Sequence, residues 1–145
     1  MKVLSVVEFP NDILSTPCAE ASITAETVEL ANDMLHTLEH TDHGVGLSAP
    51  QVGKPIRLIV IKILAPMIMF NPKIVKTSMG RSENREGCLS FPGLFLQIKR
   101  PHWCAVEFTN EKGEKVRRKL FGVEAVCVQH EVDHLDGVVF TQRYL

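Results

Sequence analysis

The segment from residue 122 to residue 136 constrains the fold most, because it has the period of an α-helix and places polar residues on an inward face. Val126 and Cys127 lie on one stripe of such a helix. His130 and His134 are four residues apart and continue the same stripe. Two imidazoles on an otherwise apolar stripe have to be enclosed by the rest of the chain. We therefore predict that this face of the helix is buried.

The same helix contains the pattern H-E-x-x-H, because Glu131 directly follows His130. Glu131 lies about 100° around the helix from His130, close enough to reach a water molecule on a metal ion held by the two histidines. The pattern also occurs by chance on solvated helices, but the buried stripe favours a metal site. A catalytic metal commonly has three protein ligands. The spacing leaves the third open between Asp133, Asp136 and a distant residue such as Cys88, although a lone cysteine is more often a small core residue.

A second helical pattern lies near the start of the chain. Thr24 is suited to cap this helix, which should end before Gly44. Apolar residues recur after the cap at helical intervals, at Val28, Ala31, Leu35 and Leu38. The opposite face has three histidines, His36, His40 and His43. No acidic base or cysteine accompanies them in a motif, so we interpret them as a solvated helix end.

Short strand-like segments separate the two helices. Four of them are apolar or β-branched, or flank a hairpin signal: 57–63, 66–75, 105–109 and 115–120. Two shorter candidate strands, 88–91 and 95–99, lie around Pro92-Gly93. We predict loops at 44–53, which is rich in Gly and Pro, and at 80–86, which is polar. This order predicts an α+β fold with antiparallel or mixed sheets.

The composition limits the classes of function. A chain of 145 residues without a linker is the size of one domain. The net charge of −1 gives no reason to expect a nucleic acid or an anionic membrane as a partner. We find no signal-peptide pattern and no apolar run long enough to span a bilayer. The four cysteines are far apart, which is typical of free thiols in an intracellular protein.

Three motifs occur in order along the chain: GVGLSAPQVG, EGCLS and QHEVDH. They resemble the three signature motifs of peptide deformylases, and the resemblance covers nearly the whole chain. It implies a single catalytic domain over residues 1–145, in which the sheets pack around a central helix that contains H-E-x-x-H. It also implies a metal-dependent hydrolase that removes the formyl group from the N-terminal formyl-methionine of nascent polypeptides and releases formate. The implied partners are N-formyl-methionyl peptides or nascent chains.

The resemblance also implies a set of metal ligands. It makes Cys88, His130 and His134 the ligands of one divalent metal ion. The ion implied is Fe(II), and Zn(II), Ni(II) or Co(II) would suit the same thiolate and imidazole donors. Glu131 would activate the metal-bound water and later deliver its proton to the departing amine.

Further residues receive substrate-binding roles from the same resemblance. The side-chain amide of Gln51 and the backbone N–H of Leu89 would stabilise the oxyanion together with the metal. Gly46 would contact the substrate through its backbone. The methionine side chain would lie against the His130 ring and a set of pocket residues: Val45, Glu86, Val123, Val126 and Cys127.

The chain departs from the family pattern at a few places. Ser48 stands where alanine is usual, and we expect little effect from this small change. Leu94, Phe95 and Leu96 are apolar where some relatives have a basic residue that helps to hold the peptide. The chain ends at Leu145 without the C-terminal helix that some bacterial relatives use to dock on the ribosome, so we expect no docking by that route. Such a short form is similar to bacteriophage-encoded deformylases, and we expect it in the bacterial cytoplasm or in that of a phage host.

Two alternatives remain open. A small zinc peptidase would share His130, Glu131 and His134, but it would require a third His or Glu ligand downstream. No His or Glu follows His134 in the sequence. A deformylase-like module that binds peptides without turnover should have lost Glu131 or Gln51, and both are present.

Overall fold

The computed structural model describes residues 1–42 and 44–144. Within these ranges, two α-helices lie towards the ends of the chain, α1 over Ala25–Glu39 and α2 over Gly122–Leu135. Seven strands lie between them: β1 (Gly46–Ser48), β2 (Leu58–Lys62), β3 (Pro66–Thr77), β4 (Arg81–Cys88), β5 (Phe91–Pro101), β6 (Trp103–Thr109) and β7 (Lys115–Phe121). Single 3-10 turns cover Asp12–Ser15, Ala49–Val52 and Phe140–Arg143.

The strands form two sheets. Five of them pair in the order β1-β2-β3-β6-β7, and β4 pairs with β5 in a separate two-stranded sheet. Every pairing between these strands is antiparallel. The hairpin predicted between β6 and β7 is present, and the N–H of Gly113 donates to the carbonyl of Asn110 at 3.0 Å in its turn. The predicted α+β class is confirmed.

Strand β2 has α1 on one face and α2 on the other. Leu58 and Val60 are buried with apolar side chains of α1. Ile59 and Ile61 alternate with them and are buried with apolar side chains of α2. Side chains alternate between the two faces of a strand, so a strand that is covered on both faces requires a nearly continuous apolar run. Most of α2 is buried as a result, as predicted for the central helix.

The predicted start of α1 is also confirmed. The N–H of Thr27 donates to Thr24 Oγ1 at 3.2 Å, and the N–H of Thr24 donates to Thr27 Oγ1 at 2.9 Å. This reciprocal pair satisfies donors that the start of a helix leaves open. His40, which follows the last residue of α1, is exposed, as expected for a solvated helix end. His43 lies outside the described residues.

Both predicted loops were wrong. Residues 44–53 contain β1, which pairs antiparallel with β2, followed by the 3-10 turn Ala49–Val52. Residues 81–86 belong to β4, which pairs along its length with β5. Most side chains of β4 are exposed or half-buried on both faces, so no hydrophobic period marks this strand. Main-chain pairing to β5 defines it instead.

The predicted strand at 88–91 was also wrong. Leu89 and Ser90 form the turn between β4 and β5. Pro92 and Gly93 were expected to interrupt the strands, but they lie inside β5. Gly93 has a φ of 77° there, a conformation that glycine adopts without strain. The turn places the end of β4 directly against α2.

Candidate metal centre and active site

Three side chains from two elements converge beside α2. Cys88 ends β4, and His130 and His134 lie one turn apart in α2. Their ligand atoms all lie within 4.8 Å of one another, and Cys88 Sγ is 3.4 Å from His134 Nε2. The other candidates for a third ligand have different partners. Asp133 pairs with arginines, and Asp136 lies 3.0 Å from Arg57 Nη1.

The environment of His130 is that of a metal-binding histidine. Its Nδ1 lies 2.9 Å from Glu86 Oε1, which leaves Nε2 to face Cys88 and His134. A carboxylate that holds the second ring nitrogen fixes the ring orientation of a metal-binding histidine. Glu86 is itself bound by Arg100, whose Nε and Nη2 donate to its two oxygens at 2.6 and 3.1 Å. These residues therefore fit one divalent ion held by a thiolate and two imidazoles.

An unpartnered oxygen atom of Glu131 supports the same fit. In the described part of the chain, Glu131 Oε1 and His134 Nδ1 are buried without a hydrogen-bond partner. Buried polar atoms without partners are costly, and a polar ligand beside Glu131 would satisfy its oxygen. Glu131 lines the same cavity as Cys88 and His130, and its charge is close enough to His130 to raise the pKa of that ring.

Burial perturbs the titration of these groups. Desolvation raises the pKa of Glu131 to about 7 and lowers that of His134 well below its usual value. Burial opposes a charge on His130, but the Cys88 sulfur, the Glu86 carboxylate and Glu131 together raise its pKa to about 10. Because metals bind the neutral imidazole and the thiolate, loading of this site would release protons.

Gln51 also lies beside Cys88, in the 3-10 turn Ala49–Val52. It is 1% exposed. Its Oε1 accepts from the N–H of Ser48 at 3.0 Å and from the Ser48 hydroxyl at 2.9 Å. These bonds fix which end of the amide is the donor, and Nε2 lies 3.5 Å from Cys88 Sγ and 3.1 Å from Ser90 Oγ. The Gln51 amide therefore points its N–H group at the centre.

A cavity of about 990 Å³ opens onto these groups. The predicted substrate-binding and catalytic residues all line it: Val45, Gly46, Gln51, Glu86, Leu89, Val123, Val126, Cys127 and Glu131. Gly46 allows the closest approach, because a Cβ there would lie 2.7 Å from both Cys127 Sγ and Glu131 Oε2. The main chain of β1 can therefore lie against the catalytic face of α2 only with glycine at this position.

Sequence reasoning missed several residues of the site. Arg100 and Ser90 were not predicted, although both are buried beside the centre. Ser48 was expected to matter little, yet its hydroxyl donates to Gln51. A lone arginine at a strand end gives no signal in one sequence. The position of Ser48 inside the first motif could have suggested its contact.

Comparison with known proteins decides the family. A sequence model of the family described as Polypeptide deformylase matches residues 3–144. The chain belongs to the polypeptide deformylase family. It is 38% identical to peptide deformylase 1 of Bacillus anthracis over 147 residues, which covers 99% of this chain and 93% of that relative.

Solved deformylase structures have the same fold. The crystal structure of peptide deformylase from Thermotoga maritima is similar with a TM-score of 0.97 and 33% identity, over 100% of this chain and 99% of that one. A class I type b peptide deformylase from Acinetobacter baumannii with Met-Ala-Ser bound has a TM-score of 0.92 and 33% identity, over 97% of this chain and 98% of that one.

The predicted enzyme class is therefore confirmed. This deformylase is a metal-dependent hydrolase, as the three sequence motifs implied. A small zinc peptidase is not supported, because the matching relatives are deformylases. Among the residues that the structure describes, no helix is both long and apolar enough to cross a membrane.

Proposed function

We propose that this chain, as a single catalytic domain, removes the formyl group from N-terminal formyl-methionine of peptides and nascent chains and releases formate. The observation that supports this proposal most is the convergence of Cys88, His130 and His134, because Cys88 and His130 line an open cavity together with Glu131. A water molecule and a formamide can both enter a cavity of this size. The proposed setting is the cytoplasm, where nascent chains are made.

Cys88, His130 and His134 would hold one divalent ion. We propose Fe(II), and the donor set would also accept Zn(II), Ni(II) or Co(II). Such an ion lowers the pKa of a water molecule and polarises a carbonyl oxygen when it is bound.

Glu131 would move the proton. Its buried Oε1 has no partner among the described residues, so it is available to accept a proton from the attacking water. The water oxygen forms a bond to the formyl carbon, and the C–N bond then breaks with its electron pair on nitrogen. Glu131 returns the proton to that nitrogen, which leaves as the free amine of the methionine.

Two donors would stabilise the charge on the formyl oxygen. Gln51 Nε2 points at the centre because Ser48 holds the other end of the amide. The backbone N–H of Leu89 lies in the turn after β4, beside Cys88. Donors fixed before the reaction are worth more than mobile ones, because they need no reorganisation as the charge develops.

The substrate would lie along β1. This strand is at the edge of the five-stranded sheet, so a peptide can extend the sheet by one strand. The methionine side chain would enter the apolar part of the cavity, against Val126 and Cys127. The Acinetobacter baumannii relative has Met-Ala-Ser bound, and we propose a peptide of the same kind here.

The test is formate release from formyl-Met-Ala-Ser amide by protein purified without oxygen and loaded with Fe(II) or Ni(II). Glu131→Gln should lower kcat by at least about 100-fold, because it removes the group that transfers the proton. Glu124→Gln is the matched control, because Glu124 lies in α2 but does not line the cavity. Peptide binding without formate in the wild type would contradict the proposal and favour an inactive peptide-binding module.

A further inference from the structure

One arginine lies at the mouth of the cavity. In the part of the chain that the structure describes, Arg85 is the one lysine or arginine that lines it. Arg85 belongs to β4, three residues before Cys88, and is exposed. Its guanidinium carbon lies 4.8 Å from the centroid of the Phe95 ring, which lines the same cavity. Such stacking holds the guanidinium plane and leaves its N–H edges open for hydrogen bonds.

Arg85 has no anionic partner of its own within the described residues. Ion pairs there occupy other arginines: Arg57, Arg100, Arg117 and Arg143. Glu86 follows Arg85 but is buried and bound by Arg100 and His130. Asp42 lines the same cavity and forms no ion pair with Arg85. A positive charge at a fixed place on the groove wall is therefore open to the substrate.

The distance of Arg85 from Cys88 determines which part of a substrate lies next to Arg85. A strand advances by about 3.3 Å per residue, so Arg85 lies about 10 Å along β4 from Cys88. An extended peptide in the cavity between β1 and β4, with its formyl group beside Cys88 and its chain running towards Arg85, has its second or third residue opposite Arg85. The formyl group removes the positive charge of the N-terminus, so side chains supply the charges of this part of the peptide.

We propose that Arg85, stacked on Phe95, is a specificity-determining residue that binds the carboxylate of an acidic side chain at the second or third position of the substrate. This inference rests on the proposed deformylase function. It concerns affinity rather than chemistry, because Arg85 is remote from the reacting atoms. Its effect should therefore appear in KM and not in kcat.

The experiment compares five amidated peptides, so that no terminal carboxylate competes. They are formyl-Met-Ala-Ala, formyl-Met-Ala-Glu, formyl-Met-Ala-Lys, formyl-Met-Glu-Ala and formyl-Met-Lys-Ala. At the position, second or third, that lies closer to Arg85, kcat/KM for the glutamate peptide should exceed that for the lysine peptide. The expected ratio is roughly 3- to 10-fold at low salt, as for a solvent-exposed ion pair. The ratio should fall towards one as ionic strength rises.

Three variants test whether Arg85 and Phe95 cause the preference for glutamate. Arg85→Ala should bring the ratio of glutamate to lysine close to one, and Arg85→Glu should reverse it. Phe95→Leu keeps the charge but removes the ring, so it should reduce the ratio. Arg81→Ala is the matched control, because Arg81 is exposed in the same strand and does not line the cavity. It should keep the wild-type ratio.

Two results would overturn this inference and leave the proposed deformylase function intact. They are equal turnover of all five peptides, or a preference that persists in Arg85→Ala. An unchanged ratio in Phe95→Leu would overturn the role of the ring. Absence of formate from every peptide, including the neutral one, would instead overturn the proposed function and this subsite with it.

Discussion

At the scale of single residues, Arg100 joins the parts of the site that belong to different elements. It is 4% exposed and lies in β5. It donates to both oxygens of Glu86 in β4 and, at 2.9 Å, to Asp133 in α2. These bonds hold Glu86 in the position in which it contacts His130 Nδ1. Because an unpaired buried charge is strongly destabilising, Glu86 depends on this partner to stay buried.

Replacement of Arg100 by methionine should therefore affect both stability and metal binding. The variant leaves Glu86 buried without its main partner, which should cost about 3–5 kcal/mol of unfolding free energy. The loss of orientation at His130 should weaken metal affinity by about 10- to 100-fold. Urea unfolding and competition with a chelator measure the two effects.

Arg117→Met is the matched control for this variant. Arg117 pairs with Glu107 at 3.2 Å, and both side chains are exposed. Such a pair contributes about 0–1 kcal/mol. Equal losses in the two variants would contradict the role given to Arg100.

Cys104 illustrates how burial determines the reactivity of a single thiol. It is fully buried in β6, and desolvation raises its pKa to about 11 from a usual value of 9.0. The folded state therefore favours the neutral thiol. Its contribution to stability is complete below pH 9.0 and is lost as the pH rises through about 11.

Iodoacetamide labelling tests whether Cys104 is buried in the folded protein. At pH 8, Cys104 should stay unmodified in the native protein and react readily in urea, because the thiolate is the reactive species. Peptide mapping by mass spectrometry measures both states. Rapid labelling of Cys104 in the native protein would show that it is not buried as described.

At the scale of elements, the β4–β5 hairpin depends on the rest of the molecule for its stability. An isolated two-stranded hairpin is marginally stable in water. Phe91 and Ile98 of β5 anchor this one in a small buried cluster with Leu14, Val139 and Phe140. The Phe140 ring centroid lies 5.3 Å from that of Phe91. The hairpin supplies Cys88, so this cluster supports the proposed metal centre.

Phe140→Ala should loosen the hairpin more than the large sheet. Phe140 is 1% exposed, and its truncation should cost about 3–5 kcal/mol. Hydrogen exchange should accelerate in β4 and β5 more than in β2. Phe121→Ala, at an exposed phenylalanine, should leave the pattern unchanged. Uniform acceleration across both sheets would contradict the separate anchoring of the hairpin.

The hairpin also shows where sequence reasoning reaches its limit. Helix α2 and strand β2 were predictable, because burial on defined faces leaves a period in the sequence. Strand β4 was not predictable, because much of both faces is exposed to water and leaves no hydrophobic period. Its pairing with β5 is visible only in the folded structure. The same limit applies to the site. Spacing alone indicated His130, Glu131 and His134, whereas Cys88 followed from a resemblance and Arg100 from neither.

At the scale of the whole molecule, two walls made by different parts of the chain enclose the active-site cavity. The five-stranded sheet, packed between α1 and α2, provides the wall at β1. The β4–β5 hairpin provides the other wall, and α2 provides the base with His130 and Glu131. The proposed metal centre thus depends on the correct docking of the hairpin against α2. The central claim is that Cys88 completes the ligand set of His130 and His134.

Absorption spectroscopy of the Co(II)-loaded protein tests this claim most directly. A thiolate ligand gives a sulfur-to-cobalt charge-transfer band, and imidazoles do not. The account predicts one cobalt per chain with such a band, lost in Cys88→Ser and retained in Cys127→Ser, because Cys127 lines the cavity outside the ligand group. Retention of the band in Cys88→Ser, or its loss in Cys127→Ser, would contradict the proposed centre.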